Sequence, residues 1–131
     1  MKKLILSIVI TLFFLSLISF KSSILVKNIN DRQRVEIIFS HKLSFNDIVK
    51  MKLDLSENNI FLTFRKLGFD ENSMLISVEY QVKYERYMAS DKLENLTDDS
   101  HLGFLIDQSK EKKFDIACGN LDDIKKKFSL N

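Results

Sequence analysis

The alternation of apolar and polar residues between Ile60 and Tyr84 constrains this chain more than any other feature. Ile60, Leu62 and Phe64 alternate with Phe61, Thr63 and Arg65. Farther on, Ile76, Val78, Tyr80, Val82 and Tyr84 take one side, and Ser77, Glu79, Gln81, Lys83 and Glu85 the other. A period of two residues is that of a β-strand, because successive side chains point to opposite faces. Between the runs stands Asp70-Glu71-Asn72-Ser73, whose residue types suit a tight turn. The pattern predicts a hairpin with one wet face, as antiparallel sheets allow.

The flanking segments are shorter and more mixed. Val35-Glu36-Ile37-Ile38-Phe39 is a β-branched run and predicts a strand. Before it, residues 21–34 open with Ile24-Leu25-Val26 and turn polar, which fits a tether or a weak first strand. Residues 44–55 carry two signals. Val49, Met51, Leu53 and Leu55 alternate with Lys50, Lys52 and Asp54, a strand period. Yet Ser44-Phe45-Asn46-Asp47 has the form of a capping box, and Phe45, Ile48, Val49 and Leu55 can share one broad helical face. Residues 88–100 are polar and predict a surface loop or a short helix. His101 to Ile106 predicts a strand, and Phe114 to Cys118 a further short one. Asn120-Leu121-Asp122-Asp123 opens a second helix, with Leu121, Ile124 and Phe128 on one face and lysines in its last turn, which suits the helix dipole. Three glycines and no proline exclude collagen-like and linker compositions. A body of about 110 residues can bury roughly 60–70% of its unfolded surface, enough for one core.

The stretch 35–82 resembles short modules of exported or membrane proteins in Bacteroidetes, some of them attached to membrane metallopeptidases. The matching residues are Ser44-Phe45-Asn46-Asp47-Ile48, Lys52-Leu53-Asp54-Leu55, then Ile60, Leu62 and Phe64, and the turn Phe69-Asp70-Glu71-Asn72-Ser73-Met74-Leu75. Ser73 departs from the pattern, because glycine is usual there. The resemblance implies a β-α-β-β order, with a helix over 44–56, and brings no catalytic residue with it. The chain has no His-Glu-x-x-His.

The N-terminus speaks to location. Met1-Lys2-Lys3 precedes Leu4 to Phe20, a run of 17 uncharged residues closed by Lys21. Two lysines before such a run are the mark of an export signal. The run is also close to the lower limit of about 17 residues for a membrane-spanning helix. Leu17-Ile18-Ser19 fits a small-residue cleavage site poorly, so residues 1–23 read as a signal peptide or a retained membrane anchor. Residues 24–131 then form a single domain outside the cytoplasm: periplasmic, secreted, or anchored through residues 4–20. Net charge is +2, from 20 basic and 18 acidic residues. Without Lys2 and Lys3 the body is neutral, and so lacks the electrostatic footprint of a nucleic-acid binder.

Candidate chemistry is sparse. One cysteine, Cys118, excludes an intrachain disulfide framework and a cysteine-based zinc cluster. It reads either as a small buried hydrophobe or as a reactive thiol. Asp98-Asp99-Ser100-His101 is the one cluster of ligand-capable side chains close in sequence. It reads as a divalent-metal site or as a polar turn before a strand. His41, beside Lys42, reads as a solvated turn residue. No Gly-x-Ser-x-Gly elbow or phosphate-cradling loop is present. The lysines at 110–113 and 125–127 read as solvated faces. Tyr80, Tyr84 and Tyr87 are the candidate interface residues, since tyrosine combines an apolar ring with a wet hydroxyl; they equally suit the edge of a core.

Together these readings predict an α+β domain: a small antiparallel sheet, with a β-α-β-β core plus one or two further strands, packed by one or two helices after an N-terminal apolar helix. The expected function is binding of a protein partner in the cell envelope, without catalysis, cofactor or metal. Two alternatives stand beside it. One is a metal-dependent hydrolase using Asp98, Asp99 and His101. The other is a structural component of an envelope complex.

Overall fold

The computed structural model describes residues 24–29 and 32–130, with side chains from residue 34 onward. The expected signal or anchor, and with it the N-terminal apolar helix, lies outside the described residues. The strands are β1 (Ile24–Ile29), β2 (Arg32–Phe39), β3 (Ile60–Phe69), β4 (Leu75–Tyr84), β5 (Tyr87–Leu93), β6 (Leu102–Asp107) and β7 (Ile116–Asn120). Helix α1 (Phe45–Glu57) joins β2 to β3, and α2 (Leu121–Lys127) follows β7. They form two antiparallel sheets, in the orders β1-β2-β6-β7 and β3-β4-β5.

The two signals at 44–55 resolve in favour of the helix. The Ser44 hydroxyl accepts the Asp47 N–H, while the Asp47 carboxylate accepts the Ser44 N–H at 2.8 Å. This reciprocal cap satisfies amides that the first helical turn leaves free. Ile48, Met51 and Leu55, spaced i, i+3 and i+7, are then buried. The expected face is corrected in part: Phe45 and Val49 stay 56% and 41% exposed, as does Leu53 at 60%, and Met51 takes the inward place beside Ile48 and Leu55. Asn59 follows in the left-handed conformation at φ 59°, which asparagine tolerates at a helix end.

One expected sheet with helices on one face becomes two sheets packed on each other. Val35, Ile37 and Phe39 of β2 and Phe104 and Ile106 of β6 share a core with Ile60, Leu62, Val78 and Val82 of the second sheet. Tyr80 sits at its centre, fully buried, with ring centroids 4.9 Å from Phe39 and 5.6 Å from Phe104. Its hydroxyl donates to the Gly103 carbonyl at 3.1 Å. The other face of the first sheet packs on α2: Leu105 lies against Leu121 and Ile124, with Phe114 and Phe128 beside them. Buried on both faces, Gly103-Phe104-Leu105-Ile106 has no alternation to show. Gly103 is required there, because a Cβ would stand 1.9 Å from the Ile37 carbonyl oxygen.

Two local expectations are corrected. Residues 88–100 are not a loop or helix throughout, since Tyr87–Leu93 is the third strand of the second sheet. Its inward residues include Ala89 and Asp91, a small and a charged side chain that mask the alternation. Ile76 does not share the inward face of Val78 and Tyr80. Gly68 pairs with Ser77 and Phe69 with Leu75, so Ile76 is the extra residue of a bulge and is exposed. Leu75 takes its place in the core.

Candidate functional site

The second sheet carries charged and aromatic groups at both of its ends. At one end three connections meet. Past β2, the Leu43 N–H donates to the Ser40 carbonyl at 3.2 Å, closing a turn that presents His41. The β3–β4 turn is built on Asp70, whose Oδ1 accepts the Asn72 and Met74 N–H groups at 2.9 and 3.0 Å. Ser73 stands at φ 61°, the left-handed region that explains the preference for glycine there. In the β5–β6 connection, the Thr97 N–H donates to Ser100 Oγ at 2.7 Å, which presents Asp98.

His41 stands in a turn and is partly exposed, as expected, but its ring is engaged on both sides and makes it the hub of this end. Its Nε2 meets Asp70 Oδ2, and its Nδ1 lies 3.2 Å from Asp98 Oδ1. The side chain is 32% exposed, against 25% for Asp70 and 61% for Asp98. The hydrogen bond to Asp70 raises the His41 pKa above 6.5, with a smaller push from Asp98, while desolvation opposes both. The backbone hydrogen bond from Met74, followed by that from His41, holds the Asp70 carboxyl below 3.8. Backbone bonds sew the same loops together. The His41 N–H donates to Thr97 O at 3.0 Å, Leu75 N–H to Leu43 O at 2.8 Å, and Leu96 N–H to Ile76 O at 3.0 Å. Sequence spacing could not reveal this site, because the partners of His41 lie 29 and 57 residues away.

Asp98, Asp99 and His101 do not converge. Asp98 turns to His41, and His101 Nδ1 meets Asp122 Oδ2 at 2.6 Å. Among the described residues no group of three His, Cys, Asp or Glu side chains is placed to hold a metal. Nor can Asp70 and Asp98 share an ion with the imidazole, since they face opposite ring nitrogens.

The other end holds two of the three candidate tyrosines. Tyr80 is in the core and presents nothing to a partner. Tyr84 and Tyr87 pair across the β4–β5 turn and are half-buried. Lys112 Nζ lies 5.5 Å from the Tyr84 ring centroid and 5.9 Å from that of Tyr87. It is also 3.7 Å from Glu85 and 3.6 Å from Asp115. Arg86 stacks over Tyr87 at 5.1 Å and donates to its hydroxyl at 2.9 Å.

Other polar groups serve the frame. Glu36, buried on β2, takes Lys125 of α2 at 2.8 Å, so this lysine is not simply solvated. Buried Asp107 accepts from the Ser109 hydroxyl at 2.6 Å and from the Lys113 N–H at 3.2 Å, closing the β6–β7 connection. Cys118 packs against the core, and burial pushes its thiol up, which disfavours the reactive thiolate.

No protein-family model matches this chain, and comparison with curated proteins and with solved structures finds no match either.

Proposed function

We propose that the chain is an exported or membrane-tethered domain that binds a protein partner in the cell envelope and is not an enzyme. The observation that carries this reading is the Tyr84–Tyr87 pair with Arg86 and Lys112 on its rings. Tyrosine and arginine supply most of the energy at many protein interfaces, because they bury apolar area while keeping a polar handle. Here each ring is held by its strand and by a cation, so little conformational freedom remains to be lost on binding. Lys2-Lys3 before the apolar run Leu4 to Phe20 supports export, as does the resemblance of 35–82 to exported modules of Bacteroidetes. The separation of Asp98 and His101, each turned to a partner of its own, supports the non-catalytic part by leaving the metal-hydrolase alternative without an assembled cluster.

Two experiments test the reading. A photo-crosslinking residue at Tyr87, in cells carrying the full chain, should give a discrete adduct with a protein of the envelope. The same residue at Lys127 should not. Equal adducts at both positions, or a turnover that disappears when Asp99 or His101 is replaced, would overturn it. Intact mass and fractionation test location. Full-length protein in the soluble cytoplasm contradicts export.

A further inference from the structure

The arrangement around His41 fixes its protonation by counting donors. An ionised carboxylate only accepts hydrogen bonds. Asp70 faces Nε2 and Asp98 faces Nδ1. Both contacts are hydrogen bonds only when both ring nitrogens carry protons, that is, when the ring is an imidazolium. A neutral imidazole has one N–H, and its other nitrogen would turn a lone pair toward a carboxylate oxygen.

The two carboxylates are unequal. Asp70 is anchored by two backbone N–H groups and is three-quarters buried. Asp98 is 61% exposed and makes the longer contact. Among the described residues, the charged groups that act on the ring are these two. Asp47, at the start of α1, is committed to Ser44. A ring that loses one proton therefore keeps Nε2–H on Asp70 and gives up Asp98.

We propose that His41 is a proton-gated clasp on the strap formed by residues 94–101. With the imidazolium present, the strap is tied to the β2–α1 loop and, through Asp70, to the β3–β4 turn. With the neutral ring, the Asp98 tie is lost. The strap is then held by the buried Leu96 side chain, by Leu96 N–H on Ile76 O, and by His41 N–H on Thr97 O. Leu96 is part of the core, so loosening the strap loosens the cover at this end. The direction is opening as pH rises. With a third of its side chain exposed, His41 can exchange its proton with solvent directly, and imidazole is the side chain suited to a change near neutrality.

Native-state hydrogen exchange on the full chain tests this, with each amide corrected for its intrinsic rate. Between about pH 5.5 and about pH 8, protection of the His41 and Leu96 amides should fall by about three- to tenfold, the range that the net contribution of one such hydrogen bond supplies. Protection of the Met74 amide, on the Asp70 side, should hold. In Asp98→Ala the fall should vanish. In Asp98→Asn, which keeps an acceptor without its charge, it should shrink, and the His41 midpoint read by NMR should drop in both variants. Equal loss of protection in wild type and Asp98→Ala would overturn the proposal. So would loss at Met74 before His41.

Discussion

The two ends of β4 stand about 30 Å apart, at roughly 3.3 Å per residue over ten residues, and they order their charges by different means. At the Asp70 end the contacts are hydrogen bonds with fixed direction. One acceptor is anchored by backbone amides, and the donor ring is caught between two loops. At the Tyr84 end the contacts are a cation over two rings and ion pairs of 3.6–3.7 Å, which constrain geometry loosely. The first arrangement depends on a proton. The second depends on salt, since exposed charges are screened within about a Debye length. The same sheet thus ends in one cluster set by directional hydrogen bonds and one set by a cation over aromatic rings.

The comparison breaks altogether if the core between the ends is removed. Phe104→Ala deletes a fully buried ring beside Tyr80 and Phe39. It should cost about 3–5 kcal/mol in urea unfolding and disturb the NMR shifts of both ends. Ser44→Ala removes the α1 cap next to His41 and should cost about 1 kcal/mol, with shift changes confined to the Asp70 end. Ser73→Gly relieves the left-handed serine and should gain about 0.5 kcal/mol net of the added freedom in the unfolded chain. The His41–Asp70 contact should survive that change.

The pH dependence sharpens the contrast. The folded-state pKa of His41 is raised, so its contribution is complete below 6.5 and lost as pH rises through the folded midpoint. Asp70 is lowered, so its contribution is complete above 3.8 and lost as pH falls through its own folded midpoint. The pair therefore stabilises most between those values. Subtracting the stability profile of His41→Gln from that of wild type should leave a hump in this window. A flat difference contradicts the assignment. Lys112→Ala should be the smallest change, leaving thermal stability where it was while altering the Tyr84 and Tyr87 ring signals; a clear loss of stability would make that end a structural element.

What the sequence revealed tracks how local each signal is. The α1 cap, the β3–β4 hairpin and the Asn120 cap of α2 lie within a few residues of what they determine. The second sheet's third strand was hidden by Ala89 and Asp91, and the bulge at Ile76 broke a period that looks continuous in the text. The sequence does not separate the two sheets, because β6, buried on both faces, carries no sign of which face meets what. The hub at His41 was illegible for the same reason in stronger form. Each of its three members is an ordinary turn residue, and only the closure of three connections brings them together.

The most direct test of the account is the titration of His41 followed through its ring nitrogens by NMR. The midpoint should lie above 6.5, with both Nδ1 and Nε2 protonated below it and the proton of Nδ1, on the Asp98 side, lost above it. A midpoint at or below 6.5, or loss of the Nε2 proton that faces Asp70 while Nδ1 stays protonated, would contradict it.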